Sequence, residues 1–164
     1  GPIYKNIVVN IENKDYYEAE SLLLKESLNN ICDVIKDIRS GLKPESQDHS
    51  SATVAEKIHK SEGLIDWATN SDEIKNKFLA FKKWPKVFFK FGGVNVEAVD
   101  LQLHSNDIGN PGEVYGFDQE ALKIYCKNGV VAITSVKFPG KKVIGSKDFF
   151  NSKRDIISIG DLLI

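Results

Sequence analysis

The chain has 164 residues, of which 41% are hydrophobic and 27% charged, and its formal net charge is −1. Those values fit one ordinary domain or two small ones, long enough to bury a core without disulfide or metal staples. No apolar run approaches the ~20 residues that cross a bilayer and no signal-peptide pattern is present, so a cytoplasmic protein without membrane partners is expected.

Two further bulk features bear on organisation. The chain begins Gly1-Pro2 and contains no Met, which reads either as a protease scar or as a piece of a longer protein. Residues 1–71 hold eight Lys or Arg against twelve Asp or Glu, a net of −4, whereas residues 72–164 hold fourteen against eleven, a net of +3. An acidic first part joined to a basic second part suggests two units, the second facing an anionic partner.

In chain order, the β-branched run Ile3–Val9 predicts a strand. Leu24, Leu28, Ile31, Ile35 and Ile38 then recur at helical spacing and predict one apolar helix face, expected to be a core face. Asn13 or Asp15 can cap this helix, and Gly41 stands where a left-handed residue ends it. The stretch from Leu42 to Ser61 is polar and aperiodic and reads as a linker. A second helix follows, with Asn70 and Glu73 as a capping box and Ile74, Phe78 and Phe81 as its buried face, and it stops before Trp84-Pro85. Both tryptophans, Trp67 and Trp84, are expected as core anchors, with base stacking as the rarer use of such rings.

Beyond Pro85 the period becomes two. KVFFKF and VNVEAVDLQL flank Gly92-Gly93, a pair suited to a tight hairpin turn. Three more strands follow in EVYGF, ALKIYC and VVAITSVKF, then a short helix opening at Ser146. Five short strands with one early and one late helix predict a partly open five-stranded barrel of the oligonucleotide-binding type. The fold class expected is therefore α+β: the tail of an α/β, Rossmann-like domain, then an OB-like barrel.

Chemistry-bearing patterns are few. His49, His59 and His104 are scattered, Cys32 and Cys126 lack ligand spacing and read as small buried hydrophobes, and no metal is expected. Gly140-Lys141-Lys142 lacks the upstream glycine and the Ser/Thr of a phosphate-binding loop. No catalytic residue is predicted. What stands out is FPGKKVIGSKDFFNSKR, Phe138 to Arg154, which gathers Lys141, Lys142, Lys147, Lys153 and Arg154 around a Pro-Gly corner. Lysines on turns neutralise phosphates well, with counterion release driving the binding.

That stretch, with the ISIGDLL ending, resembles the carboxyl-terminal signature of the methionyl-tRNA formyltransferases. The resemblance continues upstream through LKPESQDHSSATVAEKIHKSEGLIDW, FLAFKKWP and NPGEV, and it covers residues 40–164. It implies the tail of the catalytic domain over residues 1–45, a linker over 46–66 and a tRNA-contacting barrel over 67–164. The family moves a formyl group from 10-formyltetrahydrofolate to the amino group of methionyl-initiator-tRNA, and its catalytic Asn, His and Asp fall in a region absent from this sequence. By resemblance, the whole enzyme is a monomer and this chain holds tRNA but not the folate; an exposed Ile3–Val9 edge would let two copies pair. The expected tRNA-binding residues are Lys57, Lys60, Lys82, Lys83, Lys86, Lys141, Lys142, Lys147, Lys153 and Arg154. One departure matters: the family commonly has Arg-Ala-Phe-Asn-Pro-Trp-Pro where this chain has Leu79-Ala80-Phe81-Lys82-Lys83-Trp84-Pro85, so a bidentate phosphate grip by that arginine is not expected here. Alternative readings are a sugar-nucleotide formyltransferase, a formyl-folate hydrolase, or a stand-alone nucleic-acid-binding module.

Overall fold

The computed structural model describes residues 1–163. The chain divides into two compact units, Gly1–Lys57 and Ile58–Ile164, and no helix among the described residues is long and apolar enough to cross a membrane.

The first unit is built around helix α1, Tyr16–Arg39. Asp15 is its N-cap: the carboxylate accepts from the backbone N–H of Tyr17 (2.9 Å) and Glu18 (3.0 Å), and Glu18 returns a bond to the Asp15 N–H at 2.9 Å. This capping box satisfies N–H groups that the first turn leaves open. Gly41, at φ 84°, takes the left-handed position after the helix, as the sequence predicts. Two expectations are corrected. No residue of α1 is buried, and the apolar stripe stands in the open, with Leu24 59% and Leu28 64% exposed; the unit's described residues supply no sheet and no second α-helix to cover it. Ile3–Val9 is not a strand either. It makes one isolated antiparallel bridge, Ile3 to Glu45, because extended backbone without a neighbouring ladder has no further partners.

The second unit is α+β. Helix α2, Ser71–Ala80, precedes a six-stranded antiparallel sheet of β1 (Phe88–Phe91), β2 (Val94–Ser105), β3 (Val114–Phe117), β4 (Leu122–Cys126), β5 (Gly129–Lys137) and β6 (Val143–Gly145), and α3 spans Ser146–Lys153. The sheet order is β1-β2-β5-β4-β3, with β6 added to β5. All five predicted strands form; β6 is the addition, since Val143-Ile144 is too short to register as a strand without its partner. Register shifts between Ala98 and Asp100, Asp100 and Leu101, and Leu103 and Ser105 bend β2 along β5. Such irregularities add local bend and twist, and the sheet curls into a half-barrel. Gly92 and Gly93 both have positive φ, 57° and 76°, as the two-residue β1–β2 turn requires.

The concave face encloses the core. Phe89, Val96, Leu122, Ile124, Val131, Ile133 and Val136 are buried, joined by Ile74 and Phe78 from α2, Phe149 from α3, and Trp67. The predicted Asn70–Glu73 box is replaced by another arrangement. Asn70 Nδ2 donates to the Glu73 carboxylate at 2.8 Å, and the helix N-terminus is capped from the β4–β5 turn, where Asn128 Oδ1 accepts from the Ser71 N–H at 2.8 Å. Trp67 is the anchor expected, 5% exposed, whereas Trp84 is 51% exposed and outside the core.

Lys82 is committed to this scaffold. Its Nζ lies 3.9 Å from the centroid of the Phe78 ring and 3.4 Å from the Val99 carbonyl, so its charge is held against a π-face. Lys82→Ala is expected to lower stability to urea by about 0.5–1 kcal/mol. Lys147→Ala, on an exposed position of α3, is expected to stay within about 0.5 kcal/mol.

Asp118 organises the β3–β4 turn. One carboxylate oxygen accepts from the N–H of Glu120 (2.8 Å) and Ala121 (3.0 Å), the other from Lys123 Nζ (2.7 Å). Burial opposes its ionisation, but the Lys123 and backbone donors outweigh burial and hold the carboxyl below the usual aspartate range. A depressed folded pKa means stabilisation that is complete above the unfolded value of about 3.9 and is lost as pH falls through the folded value. Urea titrations from pH 6 to pH 2 are expected to show a smaller acid-side loss of stability in Asp118→Asn than in the parent chain.

Candidate nucleic-acid interface

Two recesses meet at the corner that follows β5. The first, about 520 Å³, lies between the Pro85–Lys86 segment, the β1–β2 turn and the Pro139–Gly140 corner, and takes in Lys60, Lys86 and Lys137. The second, about 420 Å³, lies on the other side of the corner and takes in Lys141 and Lys153. Val94, Phe138 and Pro139 line both. The two adjoin at these shared residues, and the groove they make up carries five lysines.

The local sequence explains the placement. Val136 is buried while Lys137 is exposed, the period-two alternation of a strand end. Lys137 lies opposite Glu97 on β2 and Val143 on β6. Pro139 and Gly140 (φ 69°) then reverse the chain, closed by the Lys141 N–H donating to the Phe138 carbonyl at 3.0 Å, and Lys141 leaves the corner on the groove side. Trp84–Pro85 is a cis peptide, and Lys86 follows with φ 73°, in the left-handed region. Non-glycine residues seldom take that conformation, and it recurs at functional positions. Lys86 Nζ donates to the Lys82 carbonyl. Gly63 brings the Lys60 segment close: a Cβ there would meet the Lys86 carbonyl oxygen, so only glycine permits this approach.

The predicted residues separate accordingly. Lys60, Lys86, Lys141 and Lys153 line the groove. Lys83, Lys142, Lys147 and Arg154 are exposed but do not line it. Lys82 lines a smaller recess beside α2 and packs on Phe78. Lys57 belongs to the first unit. Lys137 and Phe138 were missed by residue-level reading; the alternation of VVAITSVKF, which turns Lys137 outward beside a Pro-Gly corner, is the signal that finds them. Glu97 also lines the first recess and offsets part of its positive charge. Among the described residues, no group of three His, Cys, Asp or Glu is placed to hold a metal ion.

The groove is open, cationic and floored by apolar side chains. Its lysines are compact point charges on flexible stems, suited to phosphates held at varied angles. Such an arrangement is suited to holding an anion.

Comparison with known proteins follows the same division. Residues 57–154 match the family model described as "Formyl transferase, C-terminal domain". The methionyl-tRNA formyltransferase of Pseudomonas entomophila is 33% identical over 122 residues, 74% of this chain and 39% of that protein. The methionyl-tRNA formyltransferase of Campylobacter curvus is 34% identical over 113 residues, 69% and 36% of the two chains. The chain thus spans less than two-fifths of the length of these relatives. Among solved structures, a variant of HypX from Aquifex aeolicus aligns over the whole chain and 32% of its own, with a TM-score of 0.66 at 17% identity. HypX in complex with tetrahydrofolic acid aligns over 82% of the chain and 26% of its own, at a TM-score of 0.54 and 19% identity. At such identities the likeness is one of fold. With the family model matched along the segment that forms the half-barrel and its groove, this chain belongs to the formyl transferase C-terminal domain family.

Proposed function

We propose that this chain is the RNA-holding part of a methionyl-tRNA formyltransferase, and that its groove grips the phosphates of initiator methionyl-tRNA. The observation that carries the reading is the meeting of the Lys60–Lys86 edge and the Pro139–Gly140 corner in one groove, since lysines scattered over unrelated faces would serve only solubility. The names of the relatives support the substrate.

In the whole enzyme, 10-formyltetrahydrofolate supplies the formyl group to the methionyl amine, in the cytoplasm and with a monomeric protein. The amine must be unprotonated to attack, and a base and an oxyanion donor assist it. In this reading the base and the oxyanion donor are supplied outside the groove. This chain's share is proximity: Lys60, Lys86, Lys137, Lys141 and Lys153 hold the RNA backbone while chemistry proceeds elsewhere. Lys57, Lys83, Lys142, Lys147 and Arg154 add long-range attraction, and Lys82 acts through the scaffold. A-form RNA presents its phosphates and shallow minor groove to such side chains, so positional rather than base-specific recognition is expected.

Initiator tRNA affinity measured across a salt series tests this. Lys60→Ala/Lys86→Ala/Lys137→Ala and Lys141→Ala/Lys142→Ala are each expected to weaken binding about tenfold near physiological salt. Each is also expected to flatten the log–log salt dependence by close to one for every phosphate that is no longer neutralised. Unchanged affinity and slope in both variants would refute the proposal. The chain alone is expected to transfer no formyl group from 10-formyltetrahydrofolate to charged initiator tRNA, and measurable turnover would show that catalytic groups had been overlooked.

A further inference from the structure

The second recess differs in chemistry from the first. Its walls are Val94, Phe138, Pro139 and Ile144, and Lys141, Lys153 and Ser152 complete the lining. Phe138 is half-buried and is fixed from below by a T-shaped contact with the buried Phe149, at 5.9 Å between centroids. Lys153 Nζ stands over the Phe138 ring, 5.5 Å from its centroid. Val94 is 41% exposed at the β1–β2 turn. An aromatic ring held by a core neighbour, open apolar surface around it, one ammonium over the ring and a second lysine in the lining form a site for a flat apolar face joined to an anion. An unpaired nucleotide has that combination; a base inside a duplex has its faces covered.

We propose that this trough seats one unpaired nucleobase of the RNA against Phe138, while Lys141 and Lys153 meet its flanking phosphates. The proposal rests on the RNA-holding reading above and adds to it a preference for single-stranded nucleotides beside a duplex. Three observations favour this occupant over an apolar peptide. Two lysines line the trough, it adjoins the lysine-lined recess at Val94, Phe138 and Pro139, and its volume lies in the range of about 300–1,000 Å³ typical of small-ligand sites. Stacking of this kind tolerates any base, because every base has a π-face. Ser152 donates its hydroxyl to the Phe149 carbonyl at 2.9 Å, which leaves its oxygen as an acceptor for a base or ribose donor.

The test is fluorescence anisotropy on the full chain with two probes, a blunt RNA duplex and the same duplex carrying a four-adenosine 3′ overhang. The parent chain is expected to bind the overhang form more tightly. Phe138→Leu is expected to weaken binding of the overhang probe about tenfold and that of the blunt one much less. Phe138→Trp, which keeps a ring, is expected to retain the preference. Should Phe138→Leu prove unfolded by circular dichroism, Val94→Ser, at an exposed turn, is expected to reduce the overhang preference instead. Equal weakening of both probes, or no overhang preference in the parent chain, overturns the base site while leaving the RNA-holding reading intact. A change in sedimentation of Phe138→Leu with the overhang preference intact assigns the trough to protein contact and also overturns it. Failure of both probes to bind at any salt concentration removes the RNA-holding reading, and the base site with it.

Discussion

Strand β5 is the member on which the rest of the second unit depends. It pairs with β2 on one side, and on the other with β4 and, at its far end, β6. Gly129 to Ile133 are buried, so five consecutive residues are covered on both faces and the strand cannot slip without exposing apolar side chains. Once that register is fixed, Lys137 falls opposite Glu97 and the Pro139–Gly140 corner falls beside the β1–β2 turn. The groove is therefore a consequence of core packing several residues upstream, not of any contact among its lysines.

This division of labour agrees with the energetics. Exposed lysines add little to stability and are screened by salt over about 8–10 Å. The half-barrel is held instead by buried Phe89, Ile133, Val136 and their neighbours, at about 25 cal/mol for each Å² of apolar surface removed from water. Lys82, held against Phe78, and Lys123, paired with Asp118, serve the scaffold. The surface lysines are then free to be matched to a ligand without disturbing the core, with Glu97 limiting the local excess of charge.

Much of this architecture can be read from the chain, and the failures have physical causes. Period-two alternation around Gly92-Gly93 and Asn128-Gly129 places β1, β2, β4 and β5, because tight turns and half-buried faces leave local marks. Asn128 capping α2 leaves none, since the bond spans 57 positions and the local Asn70–Glu73 pair is an equally plausible cap. The α1 stripe has the spacing of a core face, yet Leu24 and Leu28 stand open; periodicity reports that a helix has an apolar side, not that the same chain covers it. Ile3–Val9 has β propensity without a partner ladder, and propensity alone does not make a sheet. Trp67 and Trp84 look alike in sequence and differ in burial because one precedes α2 within the core and the other follows it at the rim. For the groove, motif resemblance draws attention to Lys141 and Lys142, whereas the alternation along β5 and its register reveal Lys137 and Phe138 as their companions.

Backbone amide shifts recorded during titration with initiator tRNA would locate the contact surface on the folded chain. Perturbation is expected to concentrate at Lys60, Lys86, Val94, Lys137, Phe138, Gly140, Lys141 and Lys153 and to fade as salt is raised. Perturbation centred on α1, or on β3 and β4 away from the corner, with these groove residues unmoved, would contradict the RNA-holding reading.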